Sequence, residues 1–237
     1  KKPITKQKNM CIIAYGIKKD IGNKRFQNCL TNNPDGFFLL GFKRGAEDKK
    51  PEFLIRTLLK KEVVATWEKI PNDYIVLIHA RIKTHGSISE KNVHGWNGDD
   101  WYFCHNGVLS IKNKGDLTDS ETFFRYLFLP AFGETDIEET NEGIDDMVNS
   151  VIGSSKFVFW KKGKMLFYGN FERPDKNKFA YFSNNSYQKK EYSYCSFYGD
   201  EVYWSNKTGY SKYSKTYNYS KKYYSFNSKL IPEKRVQ

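Results

Sequence analysis

The sequence predicts a layered α+β sandwich, and three observations carry that prediction. Short, strand-sized apolar runs recur between residues 11 and 185, helical periodicity is confined to two separate stretches, and the two kinds of segment do not alternate as in a parallel α/β fold. Residues 1–10 are basic, polar and without periodicity and read as an extension. From about residue 186 onward Tyr, Ser, Lys and Asn take over.

Cys11-Ile-Ile-Ala-Tyr15 reads as a buried strand that opens the domain. Phe37-Phe-Leu-Leu-Gly-Phe42 is a second strand, introduced by the turn signal Asn33-Pro-Asp-Gly36. Between Pro51 and Glu68 the apolar positions Phe53, Leu54, Thr57, Leu58, Val63, Val64 and Trp67 suit an amphipathic helix. Ile75 to His79 and Trp101 to His105 are further strands. A helix is expected over Ser120–Leu129, with Asp119 as its N-cap and Glu121 in its first turn, where acidic groups complement the helix dipole. Phe157-Val-Phe-Trp160 and Lys164-Met-Leu-Phe-Tyr168 flank Lys161-Lys-Gly163 as a hairpin, and Phe179-Ala-Tyr-Phe182 closes the series.

Hydrophobic residues make up 39% of the 237 and charged residues 28%, a globular balance rather than a disordered one. The longest apolar runs, such as Tyr74–Ile78, fall far short of the ~20 residues of a membrane-spanning helix, and no signal-peptide pattern opens the chain. These features exclude helical membrane classes and predict a cytoplasmic protein, or one carried in a virion. Thirty-nine Lys and Arg against 27 Asp and Glu give a net charge of +12. The excess is spread along the chain and dominated by Lys, so it reads as solubility and AT-rich coding rather than a nucleic-acid footprint. Cys11, Cys29, Cys104 and Cys195 have neither C-x-x-C spacing nor a secreted-domain pattern, which fits a reducing compartment.

Four segments stand in an order and spacing that carry chemistry: Met10-Cys11-Ile-Ile-Ala-Tyr-Gly16, Asn33-Pro-Asp-Gly36, His79-Ala-Arg-Ile-Lys-Thr-His-Gly86 and His105-Asn-Gly107, followed by Asp119-Ser-Glu121. Taken singly each is weak; an Asn-Gly pair after a strand, for example, is a common turn. In register they resemble the glutaminase domain of class II glutamine amidotransferases, closely over residues 10–130 and loosely over 150–185. Ser89–His94 is similar to the family stretch that leads into the His-Asn-Gly strand end. The resemblance implies a four-layer αββα N-terminal-nucleophile hydrolase sandwich with two antiparallel sheets.

It also implies roles. Amide hydrolysis needs a strong nucleophile, a proton acceptor and a site for an oxyanion. Cys11 matches the nucleophile, with its own α-amino group as base, and Asn106 and Gly107 match the oxyanion hole. Arg81 matches the clamp on the α-carboxylate of L-glutamine, a contact that suits a planar guanidinium. Thr84 and His85 match its neighbours in the same pocket, and Asp119 the acceptor for the α-ammonium group. Ile82 and Lys83 depart from the family, which often has an aromatic after the arginine. His79, His85, His94 and His105 are six, nine and eleven residues apart, which fits no common zinc pattern, so no metal or cofactor is expected.

Domain organisation follows: residues 1–10 as propeptide or extension, 11–185 as the glutaminase domain, and 186–237 as a C-terminal extension. Cys11 cannot offer a free amine while Met10 is attached, so activity requires removal of 1–10. The chain holds no segment that reads as an ammonia-consuming synthase, which implies a separate ammonia-accepting or assembly partner. Eleven of the 17 tyrosines lie between Tyr187 and Tyr224 among Lys, Ser and Asn. That composition suits docking on a protein, or a plain low-complexity extension, more than stacking on single-stranded nucleic acid. Two alternatives stay open: a catalytically silent structural or assembly protein, viral ones included, that keeps the fold, and an amidase acting on another amide.

Overall fold

The computed structural model describes residues 10–46, 50–83, 88–135, 137–162, 164–189, 196–198 and 201–203. Its organising feature is that the central strands are buried on both faces, so alternate side chains must enter different hydrophobic layers. In β1 (Ile12–Ile17), Ile12 and Ala14 point one way and Ile13 and Tyr15 the other. In β2 (Phe37–Phe42), Phe37 and Leu39 part from Phe38, Leu40 and Phe42 in the same manner. In β4 (Ile75–Ala80), Val76, Ile78 and Ala80 part from Ile75 and Leu77.

The first sheet has the order β3-β2-β4-β1-β9, with β3 spanning Phe53–Thr57 and β9 Ala180–Phe182, and every neighbouring pair is antiparallel. The second is an antiparallel sheet of β5 (Trp96–Gly98), β6 (Trp101–Asn106), β7 (Lys156–Lys161) and β8 (Lys164–Tyr168) in that order. Ser196–Tyr198 and Glu201–Tyr203 pair as a separate two-stranded ribbon, β10–β11.

Three cores define four layers. α1 (Lys18–Asn32) and α2 (Lys60–Lys69) cover the outer face of the first sheet through Ile21, Phe26, Leu30, Val63 and Trp67. Phe26 stacks on Trp67 at 4.1 Å between ring centroids. Between the sheets, Ile13, Phe38, Phe42 and Leu77 meet Tyr102, Cys104, Val158 and Trp160. On the far face of the second sheet lie α3 (Asp119–Phe123), a π-helical segment (Phe124–Phe128), α4 (Leu129–Phe132) and α5 (Ile137–Val151). Phe103 and Phe159 of the sheet pack there against Phe123, Phe124, Phe128, Ile144 and Val148. The expected αββα order is therefore present in the packing. Among the described residues, no helix is long and apolar enough to cross a membrane.

The reading of 51–68 as one helix is corrected. Its first part is β3, which pairs with β2 from Phe37↔Thr57 to Gly41↔Phe53, and only 60–69 is helical. Phe53, Ile55 and Thr57 follow a period of two, and β2 needs backbone partners along its outer edge, which outweighs local helix propensity. The N-cap of α3 is Thr118 rather than Asp119: the Thr118 side chain accepts from the Glu121 backbone N–H, and Asp119 opens the first turn. Helices α1 and α5 were not anticipated. α1 carries Gly22 at φ +75° in its interior and few apolar residues, which weakens its periodic signal.

Phe103 is fully buried amid Trp96, Phe123, Phe124, Phe157 and Phe159. Phe103→Ala is expected to lower the unfolding free energy by about 3–5 kcal/mol, measured by urea denaturation. A loss below about 1 kcal/mol would mean this layer is not the tight core described.

Candidate functional site

β1 and β4 pair from Ile12↔Ala80 to Ile17↔Ile75, so Cys11 and Arg81 lie just past the end of the pairing, across from one another. Continuing the alternation of β1 puts Cys11 on the inter-sheet side with Ile13 and Tyr15. The Cys11 Sγ lies 3.6 Å from the Ile82 carbonyl oxygen, and its own carbonyl accepts from Asn184 Nδ2 at 2.7 Å. Burial raises the thiol pKa, while the Ile82 contact and the nearby Arg81 charge act in the opposite direction. The resting sulfur is therefore a thiol that needs a base to become a nucleophile.

Arg81 is buried, and burial lowers its pKa against the favourable charges of Cys11 and Asp35. Its backbone N–H donates to the Gly36 carbonyl at 2.8 Å, and its carbonyl accepts from the Asp35 N–H at 2.9 Å. The Asp35 carboxylate accepts from the Lys83 N–H at 2.7 Å. The Asn33–Gly36 turn thus fixes the backbone from which Arg81 projects. Thr84 and His85 lie outside the described residues.

Asn106 ends β6 of the facing sheet and is 1% exposed. Its Nδ2 donates to Ser183 Oγ at 2.8 Å, and the same hydroxyl accepts from the Ile13 N–H at 2.8 Å. Ser183 returns a backbone N–H to the Ile13 carbonyl at 2.9 Å. One serine thus joins the strand that follows Cys11 to the amide of Asn106, leaving the second Nδ2 hydrogen of Asn106 for another acceptor. Gly107 follows at φ +151°, and a Cβ there would sit 2.1 Å from Ser155 Oγ, so only glycine fits.

His105 faces the outer helices. Its Nδ1 pairs with Ser120 Oγ at 2.7 Å, and burial lowers its pKa to about 4 although the Asp119 charge opposes the shift. Asp119 Oδ2 accepts from the Leu109 N–H at 2.6 Å and Oδ1 from the Ser120 N–H at 2.8 Å. Asp119 therefore holds the loop that leaves Gly107, and its carboxylate oxygens keep further acceptor capacity for a cation.

His79 is wholly buried and reaches across to the second sheet, its Nε2 lying 3.0 Å from the His105 carbonyl oxygen. A carbonyl only accepts, so Nε2 carries the proton and Nδ1 is left as a lone pair. Burial lowers the His79 pKa to about 3 and takes that of His94 well below its ordinary value, so both rings are neutral at neutral pH. The two rings lie 5.2 Å apart, and His94 sits 4.9 Å from Trp96. Cys11 Sγ and one ring nitrogen from each of His79 and His94 lie within 4.8 Å of one another. Linear spacing does not reveal this cluster, because its members come from the start of β1, from β4 and from the segment before β5.

Of the residues singled out in the sequence, Cys11 and Arg81 lie across from one another just past the β1–β4 pairing, Asn106 is tied through Ser183 to Ile13, two residues after Cys11, and Gly107 and Asp119 bound the adjoining loop. Ser183 and Asn184 were missed. The signal was the polar run Ser183-Asn-Asn-Ser186 directly after the last apolar strand.

No family model matches the chain, and no curated protein matches it. Among solved structures it is similar to a glutamine aminotransferase class-II domain protein from Silicibacter pomeroyi, at 16% identity over 73% of this chain and 86% of that one, with a TM-score of 0.42. It is also similar to the glutamine phosphoribosylpyrophosphate amidotransferase of B. subtilis complexed with ADP and GMP, at 12% identity and a TM-score of 0.48. That match covers 73% of this chain and 41% of the other.

Ser183→Ala strands two buried donors, the Ile13 N–H and one Asn106 N–H. The expected cost is about 1–3 kcal/mol for each donor that finds no new partner. Urea melts measure it, and an unchanged midpoint would show that Ser183 is dispensable to the join.

Proposed function

We propose that the chain is a class II amidotransferase-type glutaminase that hydrolyses L-glutamine to glutamate and ammonia through a Cys11 thioester. One juxtaposition carries the reading. Strand register sets Cys11 across from Arg81, and Ser183 ties the strand behind Cys11 to Asn106 on the opposite sheet. A thiol, a buried guanidinium and a side-chain amide at the same end of the two paired sheets support the reading.

In this reading Arg81 pairs with the α-carboxylate of glutamine, with Thr84 and His85 following in the same pocket, and Asp119 takes the α-ammonium group. The free α-amine of Cys11, with a pKa near ~8, withdraws the thiol proton. Sulfur then attacks the side-chain amide carbon. The second Asn106 Nδ2 hydrogen and the Gly107 N–H receive the oxyanion. The proton passes to the departing nitrogen, ammonia leaves, and water hydrolyses the γ-glutamyl thioester. The ammonia released is the product that an ammonia-accepting partner would take up. While Met10 is bonded to Cys11 the α-nitrogen is an amide and has no basic lone pair, so the bond between them must be cut before turnover.

The deciding experiment compares ammonia release from L-glutamine by a chain beginning at Cys11, the same chain with Cys11→Ala, and a chain retaining Met10. The first is expected to be active and the other two inactive. Equal release with Cys11→Ala would overturn the reading. In the active form Arg81→Lys is expected to raise KM by about 10- to 100-fold, through loss of a bidentate carboxylate contact, with a smaller change in kcat.

A further inference from the structure

We infer that Cys11, His79 and His94 form a buried three-ligand site for a thiophilic divalent cation, Zn²⁺ above all. The inference concerns binding and does not require the glutaminase reading to hold.

Three observations converge. First, one ligand atom from each residue lies within 4.8 Å of the other two. Tetrahedral zinc with Zn–S of about 2.3 Å and Zn–N of about 2.0–2.1 Å sets neighbouring ligand atoms about 3.3–3.6 Å apart, so the ion has only to draw the three together modestly. Second, among the described residues Nδ1 of His79 and Nδ1 of His94 are buried without a hydrogen-bond partner. A buried acceptor without a partner loses its hydration for nothing in return, and such atoms are uncommon in folded proteins. Third, His79 has the outer contact typical of metal-bound imidazole. Its Nε2–H donates to the His105 carbonyl, which fixes the tautomer and aims the Nδ1 lone pair away from that bond.

The surroundings hold the set in place. Arg56 binds the segment that leads to His94, with Nε 2.9 Å and Nη2 2.6 Å from the Val93 carbonyl oxygen and Nη2 2.9 Å from that of Lys91. β4 fixes His79 by pairing on both sides, with Ile13 and with Phe38. One thiolate and two imidazoles are borderline-soft donors that favour zinc over calcium or magnesium. Three protein ligands leave a fourth position for water or an exogenous ligand. Binding replaces the Cys11 thiol proton with the metal, and that proton passes to solvent. A sulfur so engaged cannot attack an amide, so under the proposed function the cation would act as a reversible block on the nucleophile.

Cobalt(II) titration of the full chain tests the site without any activity assay, because a thiolate bound to tetrahedral cobalt gives a near-ultraviolet charge-transfer band with visible d–d bands. One equivalent is expected to produce both, and one equivalent of Zn²⁺ to remove them. Cys11→Ser should abolish the charge-transfer band, and His94→Gln should weaken binding by about 100-fold. His79→Gln removes a contact between the sheets and is read only if its circular dichroism matches the parent. Absence of the bands in the parent, or bands unchanged in both Cys11→Ser and His94→Gln, would overturn the inference. Cobalt binding without glutaminase activity would leave the site standing and remove only the inhibitory role.

Discussion

Two hydrogen-bonded links across the gap between the sheets set the geometry of everything at the candidate site. Elsewhere that gap is filled by Ile13, Phe38, Leu77, Val158 and Trp160, whose packing is close but carries no directional demand. At the end near Cys11 the contacts become polar. His79 donates to the His105 carbonyl, and Ser183 receives both the Ile13 N–H and the Asn106 amide. Dispersion contacts tolerate a slide of one sheet over the other by a fraction of an ångström, whereas a buried donor that loses its acceptor costs about 1–3 kcal/mol. The polar links therefore fix the register in which Cys11 on one sheet meets Asn106 on the other.

The fold was legible where burial alone dictates the residue. Phe37–Phe42, Ile75–Ala80 and Phe157–Trp160 are apolar at nearly every position because each strand is covered on both sides, and that reads directly from the sequence. It failed where tertiary pairing decides. Residues 53–57 are a strand because β2 has an outer edge to satisfy, and nothing within the segment announces that edge. α1 stayed hidden because its inward face includes Lys18, whose stem packs inward, whose ammonium lies 5.3 Å from the Trp67 ring, and whose Nζ donates to the Ile70 carbonyl.

The candidate site was legible in part for a related reason. Cys11, Arg81, Asn106 and Gly107 stand out in the sequence through the resemblance of their segments, in order and spacing, to one family, and the structure sets them at or just beyond the ends of β1, β4 and β6. Ser183 and Asn184 also sit after a strand, but small polar residues are common in any turn and their partners lie some 170 positions away. The His79–His94 pairing is a property of the fold alone. His79 belongs to an otherwise apolar strand, and only the arrival of the segment before β5 gives it a neighbour.

The chemistry at Cys11 is governed by a conflict that the same burial creates. Enclosing the thiol between the sheets raises its pKa, which suppresses the thiolate needed either for attack on an amide or for metal binding. Arg81 counters that shift only in part, and the neutral His79 and His94 rings supply no positive charge at neutral pH. A thiolate must therefore be stabilised by something that arrives at the sulfur. An unblocked α-amine does so by taking the proton, and a divalent cation does so by replacing it. Both act on the same atom, and sulfur committed to the metal no longer has the free lone pair that attack on an amide carbon requires. Under the proposed function and the inferred cation site, catalytic competence and metal loading would be alternative states of one cysteine, their balance set by whether the Met10–Cys11 bond is intact and by the concentration of free zinc.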